Sequence, residues 1–512
     1  MRTAYTADQI RGAEHALMAL LPEGTLMQRA ASGLAAVCAD LLGRVYGRRV
    51  VLLVGSGDNG GDALYAGERL ARRGARVGAV LAGSKTHEAG LVAFTRAGGR
   101  VVDRAAIDDA DLIIDGLVGI GAAGALREPY AELAAQANAA RAAIVAVDVP
   151  SGADASSGRV PGAAVRAKVT VTMGAYKTGL LVDPGAACAG AVELVDIGLG
   201  DHLPDPDVAA LTGCDVDVLL PRPATESDKY RRGVLGVAAG SDLYTGAAVL
   251  AVGGALRAGA GMVRYAGRHA PVAQVRAHWP EAVVTELDRP SIDGVGRVQA
   301  WVLGPGLGTD DWAHELAAKV LASTVPVLID ADGLTLVARD RGLLRRGAPV
   351  LITPHAGELA RLIRAERDDI EAARLEYARR AAAELGVTVL LKGSTTVVAE
   401  DARPVRVNVT GSPWLATGGT GDVLSGVAGS LLAQGLSCYD AASCGAYLHG
   451  LAGGLAAVGA PLTAADVATA VPAAIRAVSG GPPGGPSGGP SGGTAWRAAG
   501  VVGEDNRARP RA

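Results

Sequence analysis

A glycine-rich loop follows the first strongly apolar segment of the chain, RVVLLV at residues 49–54. Gly55, Gly57 and Gly60 have the G-x-G-x-x-G spacing that brings backbone amides close to the phosphates of a dinucleotide. An ordinary NAD-binding crossover also needs an acidic residue about 20 positions later, which holds the ribose hydroxyls. Residues 75–85 (ARVGAVLAGSK), where that acid would stand, contain none. The loop therefore predicts a phosphate-bearing ligand that is not bound as an ordinary redox cofactor.

A second glycine-rich loop, ATGGTGD, runs directly into a predicted helix in the C-terminal half. Successive amides at a helix N-terminus suit a phosphoryl group, and Asp422 beside them could accept a proton from an attacking hydroxyl. Taken alone, Asp422 is also typical of an acid that stabilises a helix start. Two more turns follow predicted strands: TPHAGE holds His355 and Glu358, and LKGSTT holds Lys392. The three turns together indicate phosphoryl-transfer chemistry.

Four polar clusters follow successive apolar segments in the first 200 residues. They are GDNGGD at residues 57–62, IDGLVGIGAAG with Asp115, VDVPSG with Asp148 and Ser151, and MGAYKTG with Lys177. Ligands of open α/β sheets bind outside the carboxyl ends of the strands, so we expect these clusters to form one site. Each cluster alone is more typical of a turn, because Asp, Asn, Ser and Gly favour turns.

The segments that position these clusters alternate between apolar runs and Ala-rich stretches. Two amphipathic helices are predicted near residues 7–20 and 25–42, and five β-branched runs follow between residues 49 and 198. Residues 200–229 are rich in Pro and Asp and break this rhythm. A second series of strand-plus-turn units then begins at VLGVAAGS. Such alternation is typical of mostly parallel sheets covered by helices.

We therefore predict an α/β protein with two domains. A Rossmann-like three-layer domain spans residues 1–205, a linker spans 206–221 and a second α/β domain spans 222–478. Residues 479–512 contain SGGPPGGPSGGPSGG and too little apolar surface to offset chain entropy. We expect this tail to be disordered.

Composition narrows the class of protein. A net charge of -3 over 512 residues gives no electrostatic basis for binding nucleic acid or an anionic membrane. The five cysteines lack C-x-x-C spacing, so neither a disulfide framework nor a zinc site is indicated. The N-terminal sequence has no signal-peptide pattern, and no run of about 20 residues is free of charge. We expect a cytoplasmic protein that acts on small molecules, with no nucleic acid and no membrane as partner.

The N-terminal motifs GSGDNGGD, DGLVGIG, DVPSG and GAYKTG, in this order and spacing, resemble those of NAD(P)H-hydrate epimerases over nearly all of residues 1–200. That family has an N-N-G-G-D loop, whose first Asn is replaced here by Asp58. The resemblance implies a potassium site at Asn59, Asp115 and Ser151, and Asp148 as the candidate acid/base with Lys177 as a supporting charge. Carboxylate, amide and hydroxyl oxygens suit a hard cation, and glycine amides suit phosphates. The implied substrate contacts are Asp58, Asn59, Gly60, Gly61, Asp62, Gly119, Ile120, Gly121, Ala122, Ala123, Gly124, Ala125 and Asp148.

The C-terminal motifs GTGD, KGS and TPHxGE, together with GPGLG, resemble the ribokinase-like superfamily over about residues 222–478. The histidine of TPH is similar to the ADP-dependent NAD(P)H-hydrate dehydratases, whereas vitamin kinases have TPN. The usual H-K-G near the domain start reads DKYRRG here. The contacts implied for the hydrated nucleotide are Gly306, His355, Ala356, Gly357, Glu358, Leu359, Ala360, Arg361 and Asp422. Those implied for ADP are Lys392, Gly393, Ser394, Thr395, Thr396, Ser412, Gly418, Gly419, Thr420 and Gly421.

The two resemblances imply a fused enzyme for repair of hydrated NADH and NADPH. The first domain would interconvert the R and S hydrates at C6, and the second would dehydrate the S form with ADP as co-substrate. Asp422 would be the catalytic base and Glu358 would orient magnesium through water, while potassium would serve the first domain. A homo-oligomer is also expected.

Two alternatives remain open at this point. A vitamin or sugar kinase fused to a nucleotide-sensing domain would yield a stable phosphoester, and the TPH motif argues against it. A binding module with a degenerate first domain is disfavoured because Asn59, Asp62, Asp115 and Asp148 are all present. The sequence does not decide between ADP and ATP.

Overall fold

The computed structural model describes residues 1–83 and 85–480. Over these residues the chain forms one seven-stranded and one twelve-stranded sheet. The strands are β1 (Arg2–Tyr5), β2 (Arg49–Val54), β3 (Arg76–Leu81), β4 (Arg100–Val101), β5 (Leu112–Gly116), β6 (Ala143–Val147), β7 (Val169–Met173), β8 (Tyr176–Lys177), β9 (Ala191–Val195), β10 (Val208–Ala210), β11 (Val234–Ala238), β12 (Met262–Gly267), β13 (Val283–Glu286), β14 (Ala300–Leu303), β15 (Val327–Ile329), β16 (Val350–Ile352), β17 (Thr388–Leu391), β18 (Thr396–Ala399) and β19 (Val405–Asn408).

Helices cover both sheets, as the alternating sequence pattern predicts. They are α1 (Ala7–Met18), α2 (Thr25–Leu42), α3 (Asp58–Arg72), α4 (Glu88–Arg96), α5 (Tyr130–Ala139), α6 (Gly185–Ala189), α7 (Gly213–Leu219), α8 (Thr245–Arg257), α9 (His269–His278), α10 (Asp311–Leu321), α11 (Asp332–Arg339), α12 (Ala356–Ile363), α13 (Arg367–Ala372), α14 (Arg374–Leu385), α15 (Thr420–Ala433), α16 (Cys438–Ala457) and α17 (Ala464–Ser479). None of the helices in the described ranges is long and apolar enough to cross a bilayer.

The seven-stranded sheet has the order β4-β3-β2-β5-β6-β7-β9, and all of its pairings are parallel. Successive side chains of β2 point to opposite faces, because the side-chain period of a strand is two. Leu52 joins an apolar cluster with Leu64 of α3, whereas Leu53 joins one with Leu133 of α5. The sheet is therefore buried between two helical layers, which confirms the three-layer prediction.

The twelve-stranded sheet has the order β13-β12-β11-β14-β15-β16-β17-β18-β19-β10-β1-β8. Pairings from β13 to β17 are parallel, and β18 is antiparallel to both of its neighbours. Val237 of β11 packs with α8 and α15 on one face, while Leu303 of β14 packs with α10 on the other. The C-terminal half is thus a second α/β layer structure.

The two halves share the larger sheet. Strand β1, near the N-terminus, pairs with β8 on one side and with β10 on the other, and β10 pairs with β19. The segment predicted as a linker, residues 206–221, is a folded connection that contains β10 and α7. The short apolar run 208–210 is buried. The pairing of β10 with β1 and β19 thus outweighs the turn preference of the surrounding Pro and Asp residues. The predicted tail lies outside the described residues from position 481 onward.

Candidate active sites

The N-terminal polar clusters meet at a reversal of strand order. Strands β2 and β5 are parallel neighbours, but β3 lies on one side of this pair and β6 on the other. Such a reversal opens a crevice at the carboxyl ends of the strands, where ligands of α/β sheets bind. Asn59, Asp115 and Asp148 come after β2, inside the end of β5 and after β6, respectively. The fold therefore gathers the predicted clusters at one edge.

Two of the three predicted cation ligands, Asn59 and Ser151, hydrogen-bond to the backbone of Val118, and the third, Asp115, accepts from Ser151. The Asn59 amide donates to the Val118 carbonyl (2.9 Å), and Ser151 Oγ accepts from the Val118 amide (3.0 Å). Ser151 also donates to Asp115, through Oγ at 2.7 Å and through its backbone amide at 2.9 Å. Asp115 is fully buried and burial raises its pKa to about 6, although the Ser151 hydrogen bonds act to lower it. A buried carboxylate that has no ion pair within residues 1–83 and 85–480 fits a bound monovalent cation.

Asp148 and Lys177 form a buried ion pair beside this cluster. Lys177, on β8, is fully buried and also donates to Thr172 Oγ1 (3.1 Å) and to the Met173 carbonyl (2.7 Å). Asp148 has a φ of +64°, a left-handed conformation that Asp tolerates better than most residues. Its carboxylate also accepts from the Met173 amide at 3.0 Å. Backbone and lysine together fix this carboxylate in one orientation.

Further acids lie around the same lysine. Burial raises the pKa of Glu14, on α1, to about 7; Lys177 opposes this shift, and Asp148 and Asp58 reinforce it. Burial also raises the pKa of Asp62 well above its usual value, and its Oδ1 is buried without a hydrogen-bond partner in the described part of the chain. Sequence reasoning missed Glu14. Its position in the sequence could have indicated it. Glu14 stands four residues after the buried Ile10 and therefore lies on the same, apolar side of α1.

The glycines of the first loop are required by close backbone approach. A Cβ on Gly55 or Gly60 would clash with the carbonyl of Leu117 or of Gly55, respectively. A Cβ on Gly119 would lie 2.8 Å from Asn59 Oδ1, so this loop borders the cation-ligand cluster. Residues 121–125 are exposed and follow directly. The predicted substrate-contacting segment thus runs from the buried cluster to the surface.

In the C-terminal half, Lys392 and Asp330 lie at the start of α15. Lys392 follows β17, and its Nζ donates to Asp330 Oδ1 at 2.6 Å. Asp330 follows β15, is almost fully buried, and accepts from Ser425 of α15 at 2.7 Å. A Cβ on Gly421 would lie 3.5 Å from Lys392 Nζ, which brings the GTGD loop beside this cation. Asp330 was missed, although VLIDAD shows an acid directly after an apolar strand.

Asp422 lies in the first turn of α15. Burial raises its pKa to about 7; Asp330 and Asp332 raise it further, and Lys392 acts to lower it. The preceding Gly419 has a φ of +88°, which favours glycine and lets the loop turn into the helix. A carboxyl with a pKa near neutrality, next to helix N-terminal amides, suits a proton acceptor.

His355 and Glu358 form a capping box on α12. His355 Nδ1 accepts from the amides of Gly357 (3.0 Å) and Glu358 (3.3 Å), and the Glu358 carboxylate accepts from the His355 amide (2.8 Å). Burial lowers the pKa of His355, while Glu358 acts to raise it. Because Nδ1 accepts from these two backbone amides, the ring proton is placed on Nε2. Glu358 also lies 3.9 Å from Lys392 Nζ, which joins the capping box to the lysine network.

The remaining predicted positions lie around this network and differ in their exposure to solvent. The Lys392 amide donates to the Pro354 carbonyl (2.8 Å), so the KGS and TPH turns are neighbours. Gly306 has a φ of +59° and packs against Tyr244. Leu359 packs into the apolar core, and Arg361 is exposed. The predicted segment 355–361 therefore combines site-facing, core and surface positions, as an amphipathic helix start must.

Each half of the chain matches a known protein family. A family profile described as NAD(P)H-hydrate dehydratase matches residues 235–472, and one described as YjeF-related protein N-terminus matches residues 23–179. The bifunctional NAD(P)H-hydrate repair enzyme of Mycobacterium tuberculosis is 49% identical over 86% of this chain and 92% of its own length. The protein of the same description from Mycobacterium leprae is 47% identical over 89% of this chain and 94% of its own length.

A solved structure also resembles the C-terminal half. The ADP/ATP-dependent NAD(P)H-hydrate dehydratase from Bacillus subtilis, co-crystallised with ATP and Mg²⁺, is 29% identical, with a TM-score of 0.48 over 53% of this chain and 99% of that chain. The predicted fold class, a Rossmann-like three-layer domain fused to a ribokinase-like α/β domain, is confirmed. The chain belongs to the family of bifunctional NAD(P)H-hydrate repair enzymes.

Proposed function

We propose that this protein repairs hydrated NADH and NADPH in two steps. The N-terminal half interconverts the R and S hydrates at C6, and the C-terminal half dehydrates the S form, consuming ADP and releasing AMP, phosphate and NAD(P)H. The observation that carries the proposal is the meeting of Asp422, Lys392 and the GTGD loop at one helix start. Action in the cytoplasm and a homo-oligomeric state stay predictions from the sequence.

The dehydration step begins as phosphoryl transfer. Asp422 accepts the proton of the C6 hydroxyl while that oxygen bonds to the terminal phosphorus of ADP and AMP departs. Amides of residues 419–421 and the Lys392 ammonium stabilise the charge that develops on the phosphoryl oxygens. The ring nitrogen lone pair then expels phosphate from C6, and loss of a proton from C5 restores the dihydronicotinamide.

Carboxylates beside Lys392 are suited to magnesium that arrives with the nucleotide. Mg²⁺ is usually held by one or two carboxylates, several waters and substrate phosphates. Within residues 1–83 and 85–480, no cluster of three His, Cys, Asp or Glu side chains could hold a metal by itself. Glu358 is our candidate, acting through water, and magnesium would supply charge neutralisation on the phosphates.

The epimerisation step uses the acids around Lys177. We assign Glu14, whose pKa is raised to about 7 mainly by burial, as the group that protonates the departing C6 hydroxyl. The ring nitrogen lone pair forms the iminium as water leaves, and a water that adds to the opposite face gives a proton to Asp148. Lys177 and the Met173 amide hold the Asp148 carboxylate in place for this role.

Asn59, Asp115 and Ser151 are the proposed ligands of potassium. An amide, a carboxylate and a hydroxyl sum to a single negative charge, which suits a monovalent cation better than magnesium. When bound, the cation would neutralise Asp115 and support the loop at Gly119, which carries proposed substrate contacts.

The proposed function is tested by incubating the purified protein with hydrated NADH and ADP. We expect recovery of the absorbance of NADH together with stoichiometric AMP and phosphate. A stable phosphorylated product without NADH would instead identify a kinase. Absence of any reaction with either NADH hydrate or NADPH hydrate would contradict the proposal.

A further inference from the structure

A cavity of about 610 Å³ lies where the two halves meet, next to the proposed nucleotide segment. Its walls include His355, Lys392 and Ser394 from the C-terminal half, and Asp183 and Ala187 from the N-terminal half. This volume is in the range of small-molecule sites, which is roughly 300–1,000 Å³. The N-terminal half thus reaches the site proposed for dehydration.

The N-terminal wall is fixed to the proposed nucleotide segment. The Asp183 amide donates to Thr395 Oγ1 at 3.0 Å, and the Asp183 carboxylate accepts from the amide of Ala187, in α6, at 2.9 Å. The preceding Val182 is fully buried in the same apolar cluster as Val407 of β19. These contacts hold the wall against the C-terminal half.

Arg374 is the buried cation of this cavity. It is only 5% exposed, and its guanidinium donates to the backbone carbonyls of Lys392 (2.6 Å) and Thr395 (3.2 Å). Across residues 1–83 and 85–480, no carboxylate lies within ion-pair distance of it. Burial lowers its pKa, while Asp183 and Glu371 act to raise it. A buried charge without a counter-ion is costly, so an anion in the cavity would stabilise it.

Arg374 also shapes the loop that carries Lys392. A Cβ on Gly393 would clash with the guanidinium, so a larger residue at this position would displace Arg374 from the loop. Two carbonyls of the loop are held by one rigid, planar donor group, which a lysine could not reproduce. Arg374 is therefore a positioning residue for Lys392 as well as a source of positive charge.

We infer that the N-terminal half completes the nucleotide site of the C-terminal half. Residues 183–187 form one wall of a cavity that takes a phosphate-bearing nucleotide of the dehydration reaction, and Arg374 orients the opposite wall. This inference rests on the proposed dehydratase function. It implies that nucleotide affinity depends on residues 183–187. These residues lie outside the match to the dehydratase family, which begins at residue 235.

Substitution of Ala187 tests the wall. Ala187 is exposed, so Ala187→Trp fills the cavity without disturbing the core. We expect KM to rise about tenfold for ADP or for the hydrated nucleotide, with the epimerisation rate unchanged. Whichever KM rises identifies the nucleotide that occupies the cavity. The matched control is Ala135→Trp, at an exposed helical alanine of the same half that does not line this cavity, and it should leave both values unchanged. Unchanged KM values for both substrates in Ala187→Trp would overturn the inference.

Chemical protection gives a second readout that does not depend on catalysis. In Ala187→Cys, modification of the thiol at position 187 by a maleimide should slow at least tenfold with saturating ADP or NADPH. The thiol of Ala135→Cys should react at the same rate with and without nucleotide. If neither nucleotide protects position 187, the inference fails. If the wild type dehydrates no hydrate at all, the proposed function fails instead, so the two failures are distinguishable.

Discussion

The two candidate sites each contain a lysine paired with an aspartate, but the lysines differ in exposure. The Lys177 side chain is 0% exposed, whereas that of Lys392 is 21% exposed and lines a cavity. Lys177 is enclosed by its own partners and holds the Asp148 carboxylate in position. Lys392 keeps one side open, so it can meet a phosphate that comes from outside. We therefore propose that the same pair of residue types orients a carboxylate in one half and binds a ligand in the other.

The acids around these lysines differ as well. The N-terminal site gathers Glu14, Asp62 and Asp148 around its lysine, an arrangement suited to proton exchange. The C-terminal site has Asp422 in the first turn of α15, beside amides that suit a phosphoryl group. From this difference we predict that a substitution in one site leaves the reaction rate of the other site unchanged.

Replacement of Asp422 should have the largest effect. In Asp422→Asn we expect dehydration to fall about 10²- to 10⁴-fold, because a positioned base is lost. Epimerisation in the same variant should be unchanged, and this serves as the internal control. Dehydration at close to the wild-type rate would remove Asp422 from the mechanism.

Loss of the enclosed lysine should act mainly on stability. Lys177→Met leaves Asp148 buried without its counter-ion, which should lower the free energy of unfolding by about 3–5 kcal/mol. Denaturant unfolding measures this change. The control Lys168→Met, at an exposed lysine of the same half, should change stability by no more than about 0.5 kcal/mol. Equal stability of the two variants would show that the Lys177 pair does not anchor the site.

Removal of the proposed cation ligand should affect only the N-terminal half. In Asp115→Ala we expect epimerisation to fall roughly 10- to 100-fold and to lose its dependence on potassium. Rates are compared in potassium and in a bulky organic cation, with dehydration of the pure S hydrate as the control. If the wild-type epimerisation rate is the same in potassium and in the organic cation, the cation site is excluded.

The raised pKa of Asp422 predicts a pH dependence of dehydration. Since its pKa is raised to about 7, the base is protonated at lower pH, and kcat/KM should fall about tenfold per pH unit below 7. Between pH 3.8, its ordinary pKa, and about pH 7, this carboxyl is protonated in the folded protein but ionised in the unfolded chain. Its contribution to stability is therefore lost as pH rises through this window. Asp422→Asn should therefore gain more in Tm, relative to wild type, at pH 8 than at pH 5. An equal Tm difference at both pH values would contradict the assignment.

The smallest effect is expected for the surface ion pair between the halves. Arg159 and Glu376 are paired at 2.5 Å, but both side chains are about half exposed or more. Arg159→Ala should cost only about 0.2–1 kcal/mol in unfolding free energy and leave both activities unchanged. A larger loss would mean that this pair, and not the shared sheet, joins the halves.

Sequence reasoning succeeded where the signal was local. Glycine spacing, acids at strand ends and the GTGD loop were readable, because turns and helix starts depend on neighbouring residues. Asp330 was missed although it stands directly after an apolar strand, whereas Glu14 was missed because its surroundings depend on which distant elements pack beside α1. The pairing of β1 with β8 and β10 could not be predicted either, since all three are very short and their pairing is decided by tertiary contacts.

The central claim, two separate sites acting in sequence, is tested most directly by an epimer-resolved time course. The pure R hydrate of NADH is incubated with ADP, and both epimers and NADH are followed by chromatography. We predict that wild type converts all of it to NADH, that Asp422→Asn yields an R and S mixture without NADH, and that Asp115→Ala leaves the R form nearly unchanged. Formation of NADH from the R hydrate at the wild-type rate in Asp115→Ala, or loss of both steps in Asp422→Asn, would contradict the account.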